Sequence, residues 1–444
     1  MRWFLLAAVS LLVVTGLAGA VVWTRDGRDE SVVVAEPPPP AVEVEAAGPS
    51  GFHEQGAPRK PVPRPRKPPR EGVVWPTFGG DVARTRSAAQ FPYRPPYRRV
   101  WTRFTRANIE FAPVVAYGRL YVGNQAGRFF ALNGENGRTS WQHRFGRCIA
   151  SSPTVGKGVV YQGLRGGYPC ARGGHAGATG EMVAMSAGSG HIRWRFATGA
   201  IESSPALVGN LLYFGTWSRR VYALNVKTAR PRWTSAVNSE VHGAPAVAGG
   251  SVYVTTTAGS LYAFDRMTGR LRWHRSDGTE AFYAGPTVAK GRVYAANTNG
   301  TVYAYSARTG GLLWARRVGT YVYTNPAVVH GRVFVGTYSG SFLALDARTG
   351  SVRWSYPAAG AVHGAPVVMG GLVYFSTCRR CAYGGAKRYV KAGPRETYAL
   401  DVRNGHRVWS LDGVGGYSPL VPDKRRRVYL LGAAHVFALR PRHR

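Results

Sequence analysis

The feature that most constrains the fold is a tryptophan that recurs at intervals of about 40 residues. Each interval holds four short stretches of alternating apolar residues divided by turn residues, as in the unit from Ala244 to Trp273. A period of two is typical of β-strands, and a unit of four short strands is a blade of a β-propeller. No unit shows the apolar period of a helical repeat. The repeated tryptophans are Trp101, Trp141, Trp194, Trp233, Trp273, Trp314, Trp354 and Trp409.

The number of units predicts eight blades. Seven complete units run from Ala112 to about Tyr417, and an eighth begins at Ser418 but ends before its tryptophan strand. The missing strand lies at the other end of the propeller sequence, at Arg98–Phe104. Pairing it with the last strand hides two open sheet edges. We therefore predict an all-β fold: an eight-bladed propeller of four-stranded antiparallel blades, closed by its N- and C-terminal strands and preceded by one apolar helix.

The N-terminal part of the chain indicates export. Residues 3–23 carry no charge, and as a helix they would span about 31 Å, the thickness of a bilayer core. We expect a signal anchor within residues 1–30, with the N-terminus inside the cell. The alternative is a secretory signal cleaved after Ala18-Gly19-Ala20. The proline-rich residues 31–72 predict an extended linker, and residues 73–444 form the propeller.

The charge balance is strongly basic, with 58 Lys and Arg against 22 Asp and Glu. Residues 1–72 hold 9 basic and 8 acidic residues, so the excess lies in the propeller. Such a balance is typical of nucleic-acid binding, but an exported domain does not meet the usual nucleic acids. We therefore expect no nucleic-acid partner. Outside the cell, the acidic partners would be proteins, anionic envelope polymers or lipid headgroups.

Two longer tryptophan gaps predict insertions between the second and third strands of their blades, at about residues 164–180 and 376–395. The second insertion concentrates basic side chains. We hypothesise that it recruits an acidic partner; the alternative is a solvated basic loop. Its basic residues are Arg379, Arg380, Lys387, Arg388, Lys391 and Arg395.

The repeat also carries a family signature. The stretch from Ala263 to Trp273 resembles the A-x-D-x-x-T-G-x-x-x-W repeat of PQQ-like (pyrroloquinoline-quinone-like) propellers. The stretch from Trp75 to Asp81 is similar to the segment before the first blade in BamB-like members. The resemblance implies that each tryptophan docks on the neighbouring blade. Asp and Gly suit the tight turn between the outer strands.

One repeat position predicts a binding site. The loops between blades open on one face of a propeller, and the residue two or three places before each inner-strand proline should line the channel rim there. This position is varied and mostly polar or aromatic, unlike the rest of the repeat. It holds Glu110, Ala150, Glu202, His242, Tyr283, Tyr323, His363 and Tyr417.

We considered a metal ion at this rim, held by Glu202, His242 and His363. The repeat places the two histidines three blades apart, whereas zinc needs its ligands at about 2 Å. We therefore expect no metal ion, and a polar rim that binds water or a partner.

The four cysteines predict two disulfides, because an exported protein meets oxidising conditions. Cys148 lies in a loop between blades, and Cys170 lies in the neighbouring insertion on the same face. Cys378 and Cys381 could close a small ring. The alternatives are a redox pair and a zinc site formed by all four cysteines.

The resemblance extends to quinoprotein alcohol dehydrogenases, which use adjacent cysteines over the quinone, a tryptophan beneath it and acidic ligands for Ca²⁺. This sequence has no adjacent cysteine pair, and only 14 acidic residues lie in its propeller. We therefore expect no catalytic residues and no cofactor. We predict an exported, membrane-anchored and monomeric propeller that acts as a non-catalytic binding or scaffold protein of the cell envelope. The alternative is a PQQ-dependent dehydrogenase that holds PQQ with Ca²⁺, or a degenerate relative of one.

Overall fold

The computed structural model of the chain describes residues 72–166, 170, 178–276, 280–378, 390–414 and 420–442. These residues form eight antiparallel β-sheets arranged as the blades of a propeller. Within these ranges, no helix has the length and apolar character needed to cross a membrane. The predicted anchor at residues 3–23 and nearly all of the predicted linker lie outside the described residues.

Two strands precede the first blade, β1 (Val73–Trp75) and β2 (Tyr97–Phe104). Blade 1 contains β3 (Val114–Ala116), β4 (Arg119–Gly123), β5 (Arg128–Asn133) and β6 (Thr139–Arg144). Blade 2 contains β7 (Thr154–Gly156), β8 (Val159–Arg165), β9 (Thr179–Ser186) and β10 (Ile192–Gly199). Blade 3 contains β11 (Ala206–Val208), β12 (Leu211–Gly215), β13 (Arg220–Asn225) and β14 (Arg230–Ala236). Blade 4 contains β15 (Ala246–Ala248), β16 (Ser251–Thr255), β17 (Ser260–Asp265) and β18 (Leu271–Ser276).

The second half of the ring repeats this order. Blade 5 contains β19 (Thr287–Ala289), β20 (Arg292–Ala296), β21 (Thr301–Ser306) and β22 (Leu312–Arg317). Blade 6 contains β23 (Ala327–Val329), β24 (Arg332–Gly336), β25 (Ser341–Asp346) and β26 (Val352–Pro357). Blade 7 contains β27 (Ala361–Val362), β28 (Val367–Met369), β29 (Leu372–Cys378), β30 (Glu396–Asp401) and β31 (Arg407–Asp412). Blade 8 contains β32 (Val421–Pro422), β33 (Val428–Gly432) and β34 (His435–Pro441), with β2 as its outer strand.

The predicted ring closure is confirmed. Strand β2 pairs antiparallel with β34, from Tyr97 opposite Pro441 to Phe104 opposite His435. The two ends of the propeller sequence therefore share one blade, and neither β2 nor β34 leaves this pairing edge open.

Each tryptophan strand joins its blade to the next one. In β22 only Trp314 is buried, while its neighbours face outward. Seven indole Nε1 groups donate hydrogen bonds of 2.9–3.2 Å to backbone carbonyls of the following blade. The pairs are Trp101 with Gly134, Trp141 with Ala187, Trp194 with Val226, Trp233 with Arg266, Trp273 with Ala307, Trp314 with Ala347 and Trp354 with Val402.

Among the described residues, an aspartate holds the turn before three of the tryptophan strands: Asp265, Asp346 and Asp401. Asp265 Oδ1 accepts hydrogen bonds from the backbone N–H groups of Met267 and Thr268, and Arg272 Nη2 lies 2.6 Å from Asp265 Oδ2. The Arg272 hydrogen bond and those of the turn hold the pKa of Asp265 well below its usual range. Asp346 repeats this arrangement with Arg353. Part of the arginine excess therefore has a structural role in the blades.

Residues 73–96, which we call the lead-in segment, line the inside of the ring. β1 pairs with β3 of blade 1, and Tyr93 Oη donates to the Asp423 carbonyl of blade 8. Thr77 Oγ1 donates to the Pro205 carbonyl at blade 3. Carbonyl groups of the segment accept inner-strand N–H groups of five further blades. These pairs are Pro76 with Val155, Val82 with Val247, Ala83 with Val288, Thr85 with Val328 and Arg86 with Val368.

Candidate functional site

The structure brings most of the predicted rim residues into one row at the channel mouth. Glu202, His242, Tyr283, Tyr323 and His363 each lie just before the inner strand of their blade. Adjacent members of the row contact one another through charges or through their rings, as described below. The predicted rim residue Ala150 is fully buried, and Tyr417 lies outside the described residues.

One end of the row is a charged cluster. The side chain of Glu202 is only 7% exposed, and its Oε2 lies 3.2 Å from His242 Nδ1 and 3.4 Å from Arg165 Nη1. On its other side, His242 Nε2 lies 2.9 Å from Oε2 of Glu240. One imidazole thus bridges two carboxylates.

The charges in this cluster depend on one another. Burial by itself would lower the pKa of His242, but the carboxylates of Glu202 and Glu240 raise it to about 9. Burial would likewise raise the pKa of Glu202, yet His242 and Arg165 hold it below its usual value. At neutral pH, therefore, His242 is a cation that donates from both ring nitrogens, and Glu202 is an anion.

Glu110 is the carboxyl group of the rim that titrates near neutral pH. Its Oε2 accepts a hydrogen bond of 3.0 Å from Gln125 Nε2. Burial, followed by the nearby charge of Glu202, raises the pKa of Glu110 to about 7. The charge of Glu110 therefore changes around neutral pH.

From this charged cluster, a series of side chains in ring contact extends along the channel rim. The Arg165 guanidinium lies 4.1 Å from the centroid of the Trp217 ring. The ring centroids that follow are 4.6–5.4 Å apart. We call this series the rim row, and its members in order are Arg165, Trp217, His242, Tyr283, Tyr323 and His363.

The two histidines of the rim row differ in charge. His363 is 6% exposed, and its Nδ1 lies 2.5 Å from the hydroxyl of Tyr338. Burial lowers the pKa of His363 to about 3, so its imidazole is neutral where that of His242 is charged. Tyr283 meets the ring of His242 edge to face and stacks on Tyr323, which stacks on His363. Among the described residues, no group of three His, Cys, Asp or Glu side chains is arranged to hold a metal ion.

Sequence reasoning missed several members of the site. Gln125, Trp217 and Tyr338 lie two residues after the second strand of their blades, at a repeat position that was absent from the predicted site. That position is as varied as the predicted rim position and could have been found in the same way. Arg165 occupies the same repeat position in blade 2, two residues after Gly163, and Glu240 lies two residues before His242.

Cys148, Cys170 and Cys378 lie in the part of the chain that the structure describes. Cys148 and Cys170 are joined in the structure, with a Cα–Cα distance of 5.1 Å, and Cys170 Sγ contacts the Gln125 carbonyl. Cys378 is also disulfide-bonded, while Cys381 lies outside the described residues. The oxidation state of all four cysteines in the cell stays a prediction.

Only two of the six basic residues of the second insertion are described. Lys391 Nζ donates to the Ala358 carbonyl at 2.9 Å, which ties this lysine to the end of blade 6, and Arg395 is half-buried. The others lie outside the described residues: Arg379, Arg380, Lys387 and Arg388.

Comparison with known sequences identifies the family. The profile of a PQQ-repeat family, described as outer membrane protein assembly factor BamB, matches residues 94–172, 178–321, 275–357 and 298–442. The chain belongs to this BamB-like family. The matches together cover every strand of the eight blades.

Two curated relatives match a shorter stretch of this BamB-like chain. Outer membrane protein assembly factor BamB of Escherichia coli K12 is 28% identical over 138 residues, which are 29% of this chain and 32% of that protein. The serine/threonine-protein kinase AfsK of Streptomyces griseus is 28% identical over 137 residues, which are 29% of this chain and 16% of the kinase. Each match spans well under two thirds of the relative.

Solved structures share the fold of this chain. BamB from Moraxella catarrhalis superimposes with a TM-score of 0.60 at 17% identity and covers 78% of this chain and 100% of its own. A europium-containing methanol dehydrogenase superimposes with a TM-score of 0.62 at 14% identity and covers 83% of this chain and 91% of its own. At these identities, the likeness shows the propeller fold alone.

Proposed function

We propose that this BamB-like propeller is an exported, membrane-anchored protein of the cell envelope that binds a partner protein at its rim row without catalysing a reaction. The observation that carries the proposal is the rim row itself. Its rings pack against one another, so they lose little conformational entropy when a partner covers them. Preorganised Trp, Tyr and Arg side chains are the residue types that dominate binding energy at protein interfaces.

Envelope location is supported by two independent features. Residues 3–23 are apolar, uncharged and long enough to anchor the chain. The family is described as outer membrane protein assembly factor BamB. The propeller would then lie outside the cytoplasm, held by the proline-rich residues 31–72.

The donor set at the rim argues against PQQ with Ca²⁺. Ca²⁺ takes six to eight oxygen ligands. The rim carboxylates are already engaged: Glu202 by His242 and Arg165, Glu240 by His242, and Glu110 by Gln125. The sequence also has no adjacent cysteine pair. These residues do not fit the group, so we assign no step to it.

A photo-crosslinking experiment in the native host tests the proposal. A benzophenone amino acid replaces Tyr283 in the rim row or, as a matched control, the exposed Arg232 on β14. We expect a discrete protein adduct from position 283 and none from position 232. The variant Y323A should weaken binding of the identified partner at least tenfold, because an aromatic anchor contributes about 2 kcal/mol.

The competing hypothesis, a PQQ-dependent dehydrogenase, predicts cofactor binding and turnover. A saturable quinone absorption spectrum upon addition of PQQ and Ca²⁺, together with dye-linked alcohol oxidation, would establish a quinoenzyme. Equal adducts at positions 232 and 283 would remove the rim row from the proposal.

A further inference from the structure

Two arginines of the lead-in segment are buried inside the ring. Arg84 is 0% exposed and Arg86 is 1% exposed. Removing a guanidinium group from water is unfavourable unless its N–H groups find acceptors and its charge finds a counter-charge. The two residues meet this requirement to different degrees.

Arg84 uses all five of its N–H groups. Its Nε donates to the Pro245 carbonyl at 2.8 Å, and its Nη1 donates to Thr77 Oγ1 and to the Phe78 carbonyl. Its Nη2 donates to the carbonyls of Ser204 and Pro205. Arg84 therefore fastens the lead-in segment to blades 3 and 4, although none of its acceptors is a carboxylate.

Arg86 lacks such acceptors. Its Nε and Nη2 are buried and have no hydrogen-bond partner among the described residues. Its guanidinium carbon lies 4.2 Å from the centroid of the Phe78 ring. The acidic residue whose charge acts on Arg86 is Asp81, and its carboxylate accepts hydrogen bonds from the backbone and hydroxyl of Thr85. Burial and the charge of Arg84 lower the pKa of Arg86 to about 9, so both arginines are cations at neutral pH.

The backbone at Arg86 is also unusual. Its φ of 63° lies in the left-handed region that favours glycine, and Val368 N holds its carbonyl there at 3.0 Å. Residues kept in such conformations cluster at binding sites. The chain thus combines a strained backbone with an unmatched buried charge at one residue.

We propose that Arg86, with Arg84 beside it, is an anion-binding site inside the ring, and that its ligand is an oxyanion. Nε–H and Nη2–H lie on one edge of a guanidinium group, the edge that binds two oxygens of a carboxylate or a phosphate at once. A bound oxyanion supplies both missing acceptors and the missing counter-charge. Its source is either free phosphate or a carboxylate of a partner protein that enters the channel.

Thermal unfolding of the full-length protein in detergent tests the site, with phosphate or acetate replacing chloride at constant ionic strength. We expect wild type to show a saturable rise of a few degrees in melting temperature. A lower half-saturating concentration for phosphate assigns free phosphate, and a lower one for acetate assigns a carboxylate. The variants R86Q and R86G should require at least tenfold more of the anion. R86G keeps the left-handed backbone, so it should fold even if R86Q does not.

The matched control is R193Q, which removes an exposed arginine of β10 and should respond like wild type. An unchanged oxyanion response in R86G would overturn the proposal. So would a wild type that responds to phosphate and acetate no more than to chloride.

Discussion

The glycines in the turns before the tryptophan strands allow neighbouring blades to pack closely, because they have no Cβ. A Cβ at Gly310 would lie 2.7 Å from Cδ2 of Trp273, and the φ of Gly310 is 70°. The indole of one blade therefore rests directly on the backbone of the next. Blade 3 has Ala229 at the corresponding position with a φ of 55°, so the fold tolerates a methyl group there at some cost.

The variant G310A should lower the free energy of unfolding by about 2 kcal/mol, because a left-handed alanine costs about 1 kcal/mol and the indole must also move. Its neighbour provides the control, since a Cβ at Gly311 meets only Thr309 Oγ1 at 3.4 Å. G311A should therefore be close to neutral. Denaturant unfolding of both variants measures the difference, and equal effects would contradict the docking argument.

The charge of His242 makes stability depend on pH. Its pKa of about 9 lies above the ordinary 6.5, so its interactions stabilise the fold fully below pH 6.5 and are lost as the pH rises to 9. We expect this residue to account for a loss of about 3 kcal/mol across that interval. Glu110, Glu202, Glu240, Arg165 and Tyr283 face the same site.

The variant H242Q should remove this slope, and unfolding measured at several pH values tests it. H363Q is the control, because burial already keeps His363 neutral over the whole interval. If H363Q flattened the profile as much as H242Q, the assignment of the slope to His242 would be wrong.

At the scale of elements, strand β2 and the lead-in segment lie outside the regular repeat and complete the ring. β2 supplies the outer strand of blade 8, and the lead-in segment forms hydrogen bonds with each of the eight blades. Propeller blades otherwise contact only their neighbours. The lead-in segment therefore adds contacts between distant parts of the ring.

Truncation separates these two contributions. A chain that lacks residues 1–96 keeps β2, whereas one that lacks residues 1–105 loses it. We expect the longer deletion to lower the melting temperature by a further 10 °C or so, because it opens β34 and removes Trp101 from Gly134. Scanning calorimetry compares the two chains. Equal melting temperatures would mean that β2 does not close the ring.

At the scale of the whole molecule, the propeller has a large net positive charge, and its rim carries both acidic and basic side chains. Its 14 acidic residues include Glu110, Glu202 and Glu240 at the rim, while arginines are distributed over the blades. The basic surface and the rim row are therefore separate candidates for binding, and they would attract partners of different chemistry.

The basic insertion can be tested against this general charge. Replacing Arg379, Arg380 and Arg388 with Ser should weaken binding to anionic vesicles about a hundredfold, at roughly 1 kcal/mol for each lost contact. The control replaces three exposed blade arginines with Ser, which are Arg193, Arg232 and Arg407. Vesicle sedimentation at about 0.15 M salt measures both. An equal loss in both sets would assign the binding to net charge alone.

Most of the fold could be predicted because its determinants are local and repeated. Period-two alternation, turn residues and one tryptophan per unit specify the strands, the blade count and the missing strand that β2 supplies. The rim position was equally accessible, since repeat arithmetic places Glu202, His242, Tyr283, Tyr323 and His363 at equivalent points of successive blades. The repeat pattern therefore specified the architecture and indicated the face on which a site could form.

Only the tertiary structure decided the chemistry of that face. His242 and His363 occupy the same repeat position, yet one lies between two carboxylates and is charged while the other lies beside Tyr338 and is neutral. The path of the lead-in segment and the burial of Arg86 were likewise absent from any repeat pattern. These features depend on which side chains meet when the ring closes, and the pKa of a buried group is determined by those neighbours and not by its position in the sequence.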